Sequence, residues 1–122
     1  MSDPVNNPAH YTGHASGVQA IEVTRHLSFN RGNAFKYIFR HRDKGNPEQD
    51  LQKALWYVRD EIKHHRFDTG LHECGRRAAV KIIRATPEHW EADCYLAIIG
   101  GGLSNLRRCE MQLRERLGEV AV

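Results

Sequence analysis

Two amphipathic stretches separated only by Lys44-Gly45-Asn46 restrict this chain more than any other feature. At roughly 100° per residue, Ala34, Phe35, Ile38 and Phe39 cover one side of a helix expected over about 31–44. Gly45 is a natural stop, because glycine takes the left-handed conformation past a helix end at little cost. A second helix, expected over about 47–65, has a clear start: Asn46 can cap, Pro47 suits the first turn, and Glu48 sits near the positive end of the dipole. Leu51, Ala54, Leu55, Val58 and Ile62 then recur at helical spacing. So short a connection makes the two helices antiparallel neighbours.

The rest of the chain is read around this hairpin. Pro4, Pro8, Gly13 and Gly17 give the first 17 residues the chemistry of loops and turns. A short helix is expected from Val18 to Leu27, another from about Leu71 to Ala85, and a third opened by Thr86-Pro87-Glu88 and reaching about Ile99. A last helix follows Gly100-Gly101-Gly102, with Leu103, Leu106, Cys109, Leu113 and Leu117 on one side. No stretch alternates with period two for long enough to argue a strand. The expected fold class is all-α: a small helical bundle built on the hairpin, with an ordered N-terminal loop and about three further helices. A chain of 122 residues fits one domain, 1–122, with residues 1–66 as its ligand-binding half and 67–122 as a helical extension. The apolar stripe of the last helix exceeds what so thin a domain hides easily, which points to a homo-oligomer. The sequence has neither an apolar run of about 18 residues nor a basic-then-apolar leader, so a cytoplasmic protein without membrane contact is expected. Cys74, Cys94 and Cys109 form no CxxC pair and read as buried or half-buried thiols.

Charge supplies the first hint of chemistry. The net charge is only +3, which argues against a nucleic-acid partner. Residues 1–66 hold ten Lys/Arg against seven Asp/Glu, and residues 67–122 hold eight of each. Within 31–44, Arg31, Lys36, Arg40, Arg42 and Lys44 face a single acid, Asp43. Asn33, Lys36 and Arg40 lie at i, i+3 and i+7 on the side away from Ile38, with Tyr37 beside them and Lys44 on the same line if the helix extends that far. Arg offers a fork to phosphate, Lys a point charge, Asn an amide for a base or ribose, and Tyr37 a stacking surface. The competing reading is a solvated outer face. On the next helix Asp50, Tyr57 and Glu61 flank the apolar stripe, where carboxylates can hold magnesium or pair with Lys53 and its neighbours. The three consecutive glycines lack the Lys-Ser/Thr of a phosphate loop and read as a turn. The eight histidines, His10 and His14 among them, are not set at metal-ligand spacing, so no metal site is expected. Cys74 lies near Arg76 and Arg77 but is taken as a packed thiol.

The segments Asp3-Pro4-Val5-Asn6-Asn7-Pro8-Ala9-His10-Tyr11, Ile21-Glu22-Val23, Gly32 to Arg40, Lys44-Gly45-Asn46 and Asp50 to Tyr57 together resemble a tailed-phage family of unknown function commonly labelled nucleotide kinase. The resemblance covers roughly residues 3–62. It implies that the basic stripe is a site, and that His10-Tyr11 belongs to a loop folded over the hairpin. Glu22, Asp50 and Lys53 are secondary candidates. A larger relative in that family phosphorylates deoxynucleoside monophosphates without a Walker loop.

Three functions from different classes follow. The first is capture of a phosphorylated nucleotide or nucleotide-derived small molecule, such as a host immune signal, in a basic pocket. The alternative is a deoxynucleoside monophosphate kinase, which would need Mg2+ and a nucleoside triphosphate. The third, least favoured, is a nucleic-acid-binding accessory protein.

Overall fold

The computed structural model describes residues 14–43, 45–64 and 73–119. Among the described residues there are six helices, α1 (Ile21–Thr24), α2 (Phe29–Arg40), α3 (Pro47–Lys63), α4 (Glu73–Arg84), α5 (His89–Gly100) and α6 (Leu103–Arg116), and no strand. The all-α bundle expected from the sequence is what forms.

α2 and α3 pack against each other more extensively than any other pair of elements. Ala34, Phe35, Ile38 and Phe39 from α2 meet Leu51, Ala54, Leu55 and Val58 from α3, all buried in one core. The Asn46 side chain accepts from the Gln49 backbone N–H at 3.0 Å, Pro47 takes the first turn, and Gly45 has φ +76°. α2 starts two residues earlier than the apolar pattern suggests, at Phe29, and its regular turns end at Arg40. His41 to Asp43 continue as turn instead, with the buried His41 ring bonded back to the Ile38 carbonyl. Because Lys44 lies outside the described residues, its proposed place on the stripe goes with it.

The second half closes over this hairpin. α6 packs on both α3 and α5, α4 joins α1 to α5, and α5 reaches α2. Tyr95 is fully buried against Phe35, with ring centroids 4.7 Å apart. Leu106, Cys109 and Leu113 are likewise buried within the chain, and Leu117 packs at the core edge. Most of the stripe that suggested an oligomer is thus covered internally. The large apolar side chains left most exposed lie elsewhere, at Phe29 (75%) and Trp56 (60%). Gly101 and Gly102, at φ +67° and +85°, make the tight turn between α5 and α6. Among the cysteines, Cys94 and Cys109 are buried as expected, whereas Cys74 is exposed on α4. It falls on the outer side of an amphipathic helix whose inner side is Gly75, Ala78, Ala79 and Ile82.

Candidate anion-binding face

The four described cations of the 31–44 segment, Arg31, Lys36, Arg40 and Arg42, do not act together once the chain is folded. Arg31 points inward and is 3% exposed; its Nε donates to the Ile98 carbonyl at 2.7 Å and its NH2 to the Ile99 carbonyl at 3.0 Å. Those carbonyls end α5, where a helix carries partial negative charge, so Arg31 caps that helix and ties α2 to it. Arg42 reaches the buried carboxylate of Glu91 at 2.7 Å, and Glu91 also accepts from the Tyr95 hydroxyl at 2.6 Å. Burial, reinforced by Glu91, holds the Tyr95 hydroxyl protonated well above its ordinary range. Both arginines are therefore structural, a distinction no one-dimensional charge count can make.

What remains forms a continuous face across α2 and α3. Helical spacing aligns Phe29, Asn33, Lys36, Tyr37 and Arg40 on one side of α2. The antiparallel partner brings Asp50, Lys53, Trp56 and Tyr57 alongside. Tyr37 and Tyr57 stack with centroids 6.0 Å apart and planes 10° from parallel. Around the Tyr37 ring stand three cations: Lys36 Nζ at 4.4 Å, Lys53 Nζ at 5.3 Å and the Arg40 guanidinium carbon at 5.7 Å from its centroid. The ring's negative face holds these heads close together without neutralising them. Tyr57 in turn meets Phe29 and Trp56 edge-on, at 5.9 and 5.1 Å.

Two polar details refine the sequence reading. Arg40 Nε lies 3.7 Å from the carboxylate of Asp50, a buried residue in the first turn of α3. Asp50 is thereby a counter-ion that holds Arg40, not a freely projecting metal ligand. The Asn33 amide nitrogen donates to the Phe29 carbonyl at 2.8 Å, inside its own helix. Glu61, with Asp60, accepts from the Asn30 amide and helps fasten the far end of the hairpin. Among the described residues no three His, Cys, Asp or Glu side chains cluster as a metal site.

The structure thus brings together Lys36, Tyr37, Arg40, Asp50 and Lys53, with Asn33 on the same side of α2. Glu22 is elsewhere: on α1, its carboxylate accepts from the Gln19 backbone N–H at 2.7 Å and serves as a local cap. His10 and Tyr11 lie outside the described residues. Sequence reading passed over Phe29 and Trp56 as functional groups, although both are aromatic residues off the apolar stripe, and that was the available signal.

Residues 5–59 match a protein family described as a protein of unknown function (DUF3310), a span that contains α1, α2 and most of α3 and so the whole of this face. No curated protein and no solved structure matches the chain. No helix among the described residues is long and apolar enough to cross a membrane.

Proposed function

We propose that this chain binds a phosphorylated nucleotide or nucleotide-derived small molecule on the α2–α3 face. The observation that carries this reading is the grouping of Lys36, Lys53 and Arg40 around one tyrosine ring, next to the exposed Phe29 and Trp56. Phosphate oxygens are matched by the three cations, and a nucleobase by an exposed aromatic ring. The resemblance of the first half to tailed-phage proteins suggests a setting, the cytoplasm of an infected host, in which capture of a nucleotide immune signal would be useful. The same resemblance favours the second reading, phosphorylation of a deoxynucleoside monophosphate with Mg2+ and a nucleoside triphosphate.

Thermal shift with a panel of nucleoside mono-, di- and triphosphates and cyclic dinucleotides tests both. A stabilising ligand recovered unchanged supports capture, and a phosphorylated product supports the kinase. Lys36→Ala and Lys53→Ala are the clean variants, each expected to weaken binding about tenfold to a hundredfold through loss of a charge-assisted contact worth about 1.5–3 kcal/mol. Arg40→Ala also strands the buried Asp50 carboxylate, so its fold must be checked before its binding is interpreted. Arg107→Ala, on α6, is the control. If both lysine variants bind every panel member as tightly as wild type does, the face is only solvated surface.

A further inference from the structure

A second cationic surface lies on α4, outside the family-matched residues 5–59. Ala78, Ala79 and Ile82 turn into the core, and Gly75 packs so closely on His26 that an added Cβ would come within 2.8 Å of that ring. Helix α4 is therefore fixed in rotation, and its outward arc of about 140° is occupied by Arg76, Val80, Glu73, Arg84, Arg77 and Lys81. These same six residues line a shallow cleft of about 630 Å³. The one acid, Glu73, pairs with Arg77 at 3.0 Å, and both partners are about three-quarters exposed, so the pair is weak. Arg76, Lys81 and Arg84 have no ion-pair partner among the described residues.

We propose that this face of α4 binds the phosphate backbone of a nucleic-acid duplex without reading its sequence. Arg76 to Arg84 span about 12 Å of helix axis, opposite which a duplex presents roughly one charge every 1.7 Å. Long, exposed cations on a helix held in place by its inner side suit that dense and regular array. Among the described residues the face has no aromatic side chain, so they offer no stacking surface of the kind that holds single strands. Among the described residues its one apolar group is Val80, too little to insert into a lipid surface as membrane-binding helices do. The even charge balance of residues 67–122 concealed it, because four of that region's eight cations stand together on one helix face.

The test is fluorescence anisotropy of the full chain with a labelled 20-base-pair duplex of mixed sequence, at 50 and 200 mM salt. With three phosphates neutralised, wild-type affinity should fall by roughly fortyfold over that range. The Arg76→Gln/Lys81→Gln/Arg84→Gln variant should lose at least about tenfold at 50 mM salt and most of the salt dependence. A scrambled duplex should bind as well as the original, and Lys36→Ala should bind it like wild type, which separates this surface from the α2–α3 face. Should the triple variant fail to fold by circular dichroism, Arg84→Gln alone should lower the logarithmic salt slope by about one. No binding at 50 mM salt, variants with wild-type affinity and slope, or tighter binding to phosphatidylserine vesicles than to the duplex would each overturn the proposal.

Discussion

The α2–α3 face and the α4 face are both cationic helix surfaces, yet their charges are held in different ways. On α2–α3 the cations lean on Tyr37, and Arg40 is anchored by a buried carboxylate from the neighbouring helix. On α4 three of the four stand in solvent with no ring and no acid partner among the described residues. Positioned charge beside aromatic surface suits a compact ligand with a base and a phosphate. Unconstrained charge along one helix suits an extended polyanion, whose contacts need number more than precision. Equal counts of lysine and arginine therefore do not imply equal chemistry; the second element decides, because only it can supply the ring or the counter-ion.

If this contrast is right, the first face should depend on the hairpin's packing. Leu55 is 2% exposed at the centre of the α2–α3 contact, and Leu55→Ala should cost about 2–5 kcal/mol in urea unfolding. A loss under about 1 kcal/mol would mean that the helices are not held by this seam. A smaller effect should separate the faces by chemistry. Trp56, 60% exposed, contributes little to the core, so Trp56→Ala should leave the melting temperature nearly unchanged. It should nonetheless weaken nucleotide binding by about 1–3 kcal/mol, the usual worth of base–aromatic stacking, while leaving duplex binding at α4 intact. Equal losses at both sites would collapse the distinction between them.

The smallest effect concerns pH. His14 stacks on Phe39 at 4.6 Å and its Nδ1 lies 2.8 Å from Ser16 Oγ. Burial lowers its pKa below the ordinary 6.5, against the opposing pull of Glu91 and Asp43. A folded-state value below the unfolded one means that the unfolded chain binds more protons as pH falls. Stability from this group is therefore present above about pH 6.5 and lost as pH drops through the folded value. The melting temperature of wild type should decline between pH 7.5 and 5 more than that of His14→Gln; parallel declines would remove His14 as the cause. Neither cationic face contains His14, so ligand affinity at fixed folded fraction should not follow this titration.

The hairpin was legible because each of its signals is local. Gly45, Asn46 and Pro47 act within one turn, and the stripe Leu51, Ala54, Leu55, Val58 needs only the helical period. The line Asn33, Lys36, Tyr37, Arg40 was legible for the same reason. Arg31 and Arg42 were not distinguishable from Lys36 in sequence, since their partners are the Ile98 and Ile99 carbonyls and Glu91, each roughly fifty or more positions away. The stripe of α6 depended on the fold in a related way: periodicity says that Leu106 and Leu113 must be covered, but not by what.

By itself, then, the sequence determined the helices, the hairpin and the side of α2 from which a cationic stripe projects, because caps, turns and amphipathic periods are set by neighbours within a few residues. Tertiary structure alone decided which cations stay available. It buried Arg31 at the end of α5, gave Arg42 to Glu91, gathered Lys53 and Tyr57 beside Tyr37, and turned four cations of α4 outward together. The physical reason is that a charge's availability depends on what lies within a few ångströms of it, and in a folded chain those neighbours come from distant positions.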